Sequence, residues 1–274
     1  MPKLISISSL LSKSWSLYRS RFSYFVSLLA VPYGIFVLNS LVAQFIFSTP
    51  LVLVLSLVSL ILLVLATIAI LLSLESNELP DFKQSWQLAW PHFWPLVLVS
   101  LVTGFVVVGG MFLFLIPGLI FIFYLSFAKV VVILEKKKSF SALVQSWFYV
   151  RGYLGSVVVR ILIIVVATIL VLLVMSFISE IFGQFISYLM MIASFFIVMP
   201  FLIIYYYCLY KDLREIKGVE VGGSVSRNSV KLASWFGLAG WVVTFVSAWL
   251  FLALINSSWG DGLANLILVS SLGN

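Results

Sequence analysis

Few residues in this chain are of a type and spacing that does chemistry. Metal-assisted or acid–base catalysis requires carboxylates and histidines clustered so that they hold an ion and move protons. The chain has one histidine, His92, set between Pro91 and Phe93. An imidazole there reads as a side chain at the headgroup level of a membrane. Glu75, Glu78 and Asp81 lie close enough in sequence to hold a cation but read as a solvated acidic link. Gly109-Gly110 has neither the lysine nor the preceding strand that a phosphate-binding loop needs, and suits close helix packing instead. The single cysteine, Cys208, excludes an intramolecular disulfide and a multi-cysteine metal site. No metal-ligand set, no cofactor motif and no catalytic constellation emerges, so the expectation is a protein that is not an enzyme.

What remains is a set of cations. Lys129 and Arg160 stand inside apolar runs, where a charge is costly and often marks function. Each lies about two helical turns from the end of its run, within reach of snorkelling to the headgroups. They are also at matched depth, Lys129 six residues before Glu135 and Arg160 six after Leu154. If they turn inward instead, two facing cations require an anion between them: a lipid phosphate, a substrate anion, or the acids Glu75 and Glu135. Lys136, Lys137, Lys138 and Arg151 form a basic segment at the end of a run, suited to anionic lipid headgroups.

The elements that carry these residues follow from composition. With 63% hydrophobic and 9% charged residues and a mean hydropathy of +1.23, the chain departs far from the soluble balance of roughly half apolar and about a quarter charged. It reads as an all-α, polytopic transmembrane helix bundle. The net charge of +7 would raise nucleic acid in a soluble domain. Here the charges sit at the ends of apolar runs, so the expected partner is the lipid headgroup and not nucleic acid. Met1 to Arg21 lacks the compact apolar core of a cleavable signal.

Uncharged or nearly uncharged runs of about 20 residues are long enough to cross the hydrocarbon. They place spans at Phe22–Phe47, Leu51–Leu74, Leu96–Leu115, Leu119–Leu134, Leu154–Phe177 and Phe185–Tyr210. Amphipathic segments at 4–21, 81–94 and 139–153 read as helices lying in the interface. Pro117-Gly118 is the expected hairpin turn between the third and fourth spans. Tyr205, Tyr206, Tyr207 and Tyr210 read as an aromatic belt. Residues 1–217 form the six-span membrane domain, and 218–274 a polar cytoplasmic segment, a seventh span over Leu238–Ile255 and a short tail. With the amino terminus inside, 14 of the 16 Lys and Arg fall on the cytoplasmic side and none outside, the other two being Lys129 and Arg160. The plasma (inner) membrane is the expected location, with the carboxyl terminus outside.

Three Ser-Trp pairs, anchored by Trp15, Trp86 and Trp147, each precede a span pair by seven residues. They imply three units of one interfacial helix plus one two-span hairpin. The run Ile116-Pro117-Gly118, Phe127-Ala128, Leu134-Glu135, Ala142-Leu143, Ser146 and Gly152, with Leu209-Tyr210 and Asp212-Leu213-Arg214 closing the sixth span, resembles a known pattern. It is similar to the membrane domain attached to some glycerophosphodiester phosphodiesterases and to the related YciC-like inner-membrane proteins. The resemblance covers roughly residues 5 to 217 and implies a six-helix membrane unit without the hydrolase domain. Lys129 and residues 218–274 depart from that pattern. The function expected is a non-enzymatic membrane module assisting lipid or envelope processes, the alternative being a transporter or conduit for a lipid or small anionic solute.

Overall fold

In hydrocarbon every backbone N–H and C=O must find its partner within the chain, and a long apolar run does so as a helix. The computed structural model of the protein describes residues 4–45, 49–76, 78–113, 115–137 and 139–218. Lys138 and residues 219–274, with the expected seventh span, lie outside the described residues. The elements are α1 (Ile7–Ser20), α2 (Phe22–Phe45), α3 (Thr49–Glu75), α4 (Phe82–Leu113), α5 (Leu115–Leu125), α6 (Ala128–Leu134), α7 (Ser139–Val150), α8 (Leu154–Phe182), α9 (Gln184–Ala193) and α10 (Met199–Gly218). A single π-helical turn, Ser194–Val198, joins α9 to α10.

Five stretches are long and apolar enough to cross a bilayer: Phe22–Ala43, Thr49–Glu75, Phe82–Met111, Leu154–Phe182 and Leu189–Gly218. The chain is therefore an all-helical, multi-pass integral membrane protein. The fourth expected span, Leu119–Leu134, is a pair of short helices, α5 and α6, broken at Ser126-Phe127. Ser146 on α7 fills the break: its hydroxyl donates to the Tyr124 carbonyl at 2.7 Å and accepts from the Phe127 amide at 3.2 Å.

Of the three amphipathic segments, two are separate helices. α1 stops at Arg21, and α7 stops at the turn Arg151-Gly152-Tyr153, where Gly152 has φ +89°. Segment 81–94 differs, for α4 runs without interruption from Phe82 through Pro91 and Pro95 into the span. The turn expected at Pro117-Gly118 is also displaced. Both residues lie in the first turn of α5, where a proline's missing N–H has no intrahelical acceptor to leave empty. Gly118 instead serves the crossing of α4 and α5. A Cβ there would stand 2.6 Å from the Met111 amide nitrogen and 2.8 Å from its Cα, while one on Gly110 would stand 3.1 Å from Gly118 Cα.

The packed core sits toward one end of the bundle. α3 buries Leu65, Ala66 and then Ile68 to Leu71, Ser73 and Leu74, and nothing before Leu65. α8 buries Val157, Ile161 and Ile164 in its first turns. Against them pack Val130 to Ile133 of α6 and Ile204 to Tyr210 of α10. Tyr206 within that last run is only half-buried. Pro200 explains how the last span is tied down. It cannot donate to the Phe196 carbonyl four residues back, and that oxygen accepts from the Tyr18 hydroxyl of α1 at 3.4 Å.

Candidate functional site

At the packed end, α10 sends three tyrosine hydroxyls to three different helices. At about 100° per residue, Tyr207 and Tyr210 leave on neighbouring directions and Tyr205 on the opposite one. Tyr205 donates to the Arg160 carbonyl of α8 at 3.0 Å. Tyr207 lies within hydrogen-bond distance of both the Leu74 carbonyl, 3.1 Å, and the Glu75 carboxylate, 2.9 Å, at the end of α3. Tyr210 donates to Glu135, which caps α6, at 2.8 Å. All three rings are buried, with 0 to 2% exposure, so they are internal struts rather than the lipid-facing aromatic belt their sequence cluster suggests. An internal acceptor for each hydroxyl makes burial favourable.

Glu135 is the centre of this layer. One carboxylate oxygen accepts from Tyr149 of α7 at 2.6 Å and from Tyr210, and the other pairs with Lys137 at 3.2 Å. Lys137 also donates to the Gln145 side-chain oxygen at 2.8 Å. Burial first, and the adjacent Glu135 carboxylate second, push the Tyr149 phenol above its ordinary value, so it remains a donor. Lys136 takes φ +52° to fold the chain back so that Lys137 reaches Glu135. Glu75 is held in parallel fashion by Tyr207 and by Arg214 at 3.3 Å. It is thereby tied to this layer although it is itself exposed, as Glu78 and Asp81 are.

Further groups stitch the amino-terminal segment into the same layer. The Asp212 carboxylate accepts from the Ile5 amide at 2.9 Å. Arg160 donates to the Ile5 carbonyl at 2.5 Å, the Leu4 carbonyl at 3.4 Å and the Ser156 carbonyl at 2.9 Å. Arg21 donates to the carbonyls of Ser73 and Ser76, closing the carboxyl end of α3.

Lys129 and Arg160 are not bridged by an acid. Glu75 and Glu135, the two candidates, are taken by tyrosines, Lys137 and Arg214, while Arg160 holds main-chain carbonyls and Lys129 is exposed on α6. The direction each side chain takes around its helix was not legible in the sequence. Of the basic segment, Lys137 is engaged internally, whereas Lys136 and Arg151 are exposed. The three Ser-Trp tryptophans do not share an environment: Trp15 is 52% exposed, Trp86 half-buried, and Trp147 stacks on Tyr124 at 3.8 Å. Their serines do. Ser14, Ser85 and Ser146 are all buried, donating to the carbonyls of Leu10, Asp81 and Tyr124. His92 lies within 3.1 Å of the Leu88 carbonyl one turn back in α4. Among the described residues no three His, Cys, Asp or Glu side chains gather as a metal site.

The residues that build this layer and that the sequence did not single out are Tyr149, Gln145 and Arg21, while Asp212 stood there only within the Asp212-Leu213-Arg214 pattern. One signal pointed at it: Glu75, Glu135 and Asp212 each stand where the returning span of a hairpin ends. Set against protein-family models, curated proteins and solved structures, the chain finds no match in any of the three comparisons.

Proposed function

We propose that this integral membrane protein is a non-enzymatic module of the plasma (inner) membrane, with its amino terminus on the cytoplasmic side. Its basic end holds anionic lipid and so assists lipid or envelope processes. One observation carries the reading: among the described residues the far end of the bundle has a single charged side chain, Glu180, and the packed end is outwardly basic. Glu135 and Asp212 are drawn into internal hydrogen bonds and Glu75 is paired with Arg214. At the span ends Glu78, Asp81, Glu215 and the Arg214-paired Glu75 remain exposed, against Lys13, Arg19, Lys83, Lys136, Arg151 and Lys211. Excess base at the ends of membrane helices favours the anionic cytoplasmic leaflet. The resemblance to YciC-like membrane units supports the same reading.

The test is lipid retention by the purified full-length protein in mixed anionic and zwitterionic micelles, read by mass spectrometry. The protein retains anionic lipid preferentially, and K136Q/R151Q weakens that preference by about 1 kcal/mol per charge removed. Equal retention of both lipid classes by the parent overturns the reading.

A further inference from the structure

An open groove of about 730 Å³ runs between α1 and α10 beside the last turn of α3. That volume is within the range of about 300–1,000 Å³ typical of small-ligand sites. Ser8, Ser9, Ser12 and Ser16 of α1 line it together with Lys13, and α10 contributes Lys211. No carboxylate is among its lining residues.

The two ammonium groups come from opposite ends of the described chain, yet both line this one groove. Two cations lining a groove with no carboxylate among its lining residues repel, and an anion seated between them relieves that repulsion. Ser12 and Ser16 are one turn apart on the same face, so their hydroxyls add donors along the groove. Leu74, in the last turn of α3, also lines the groove, which puts it at the level where the spans end. That is the level of lipid phosphates.

We propose that this groove binds a phosphate group. A phosphate offers several strong acceptor oxygens to a ring of hydroxyl and ammonium donors, and lysine binds it as a point charge. The group arrives either on a lipid headgroup or as free phosphate. The proposal rests on the basic end being the lipid-engaging face, but it uses residues distinct from Lys136 and Arg151.

Equilibrium titration of the full-length protein in neutral detergent tests it, at fixed ionic strength, with a short-chain phosphatidic acid and separately with inorganic phosphate. The parent binds phosphatidic acid saturably. K13Q and K211Q each weaken binding about fivefold and the pair about 25-fold, while E180Q, at the far end of the bundle, leaves this saturable binding unchanged. Competition by inorganic phosphate at the same site assigns the phosphate group alone as the determinant, and lipid binding without competition assigns the whole headgroup. If the double Gln variant fails to fold, K13R/K211R keeps both charges and binds within about twofold of the parent. Absence of saturable binding to either probe, or Gln variants that bind as the parent does, overturns the proposal. If the anionic preference of the parent survives that result, only the groove is lost; if it is absent as well, the reading beneath it falls too.

Discussion

The Tyr210 hydroxyl of α10 donates to the carboxylate of Glu135, at the end of α6, at 2.8 Å across 75 residues of sequence. Tyr149 and Lys137 share that carboxylate. Tyr210→Phe leaves it with two partners and destabilises the protein by about 2 kcal/mol. Glu135→Ala strands two buried hydroxyls and removes the ion pair of Lys137, and destabilises by about 4 kcal/mol. Thermal unfolding in detergent measures both. A Glu135→Ala loss no larger than that of Tyr210→Phe would show that Glu135 does not organise the layer.

The phenol of Tyr149 sets a limit in alkali. Its folded value lies above the ordinary one, so its contribution to stability is complete below about pH 10 and is lost as pH rises through the folded value. Tyr149→Phe, although less stable at neutral pH, therefore loses stability less steeply above about pH 10 than the parent does. Identical alkaline slopes from a melting series across that range would remove Tyr149 as the group responsible.

The close approach of α4 and α5 predicts opposite effects at two glycines. Gly118→Ala pushes a methyl into the Met111 backbone and destabilises by about 1–3 kcal/mol. Gly34→Ala, in the interior of α2 with open space around it, stabilises by up to about 1 kcal/mol through helix propensity. Matching shifts in melting temperature at both positions would contradict the crossing.

Hydrogen exchange reads the hold on the amino-terminal segment. Asp212→Ala removes the acceptor of the Ile5 amide and speeds exchange there at least about tenfold, with little change in α6. Arg160→Leu, which frees the Leu4 and Ile5 carbonyls, produces the same local signature. Unchanged exchange in both variants would mean that these contacts do not hold the segment.

Much of the fold was legible because a bilayer imposes length. The apolar runs at Phe22, Leu51, Leu96 and Leu154 appear in long helices and that at Phe185 in α9 and α10 joined by a π-helical turn, whereas Leu119–Leu134, the shortest, is broken at Ser126-Phe127. Pro117 and Gly118 suit a turn and a helix start alike, and the contact that requires Gly118 is made by Met111 on the facing helix, so the pair's place in α5 could not be read from the sequence. In the polar layer, sequence spacing sets Tyr207, Tyr210, Glu75 and Glu135 near the ends of their spans, but which of these face one another depends on helix rotation and packing. That information lies in pairs separated by 75 and 132 residues.

Every residue of α8 from 169 to 174 is exposed, and α3 buries nothing before Leu65, while the opposite end of the bundle is tied by Glu135, Glu75 and the α10 tyrosines. The two ends therefore respond differently to bilayer thickness. In a thinner or thicker membrane the α2–α3 and α8–α9 hairpins can change tilt to match the hydrocarbon, at a fraction of a kcal/mol per ångström of mismatch, without disturbing the tethered end. The protein thus keeps a constant platform at its tethered end across membranes of differing thickness, with the adjustment absorbed by the arms that reach toward the other leaflet.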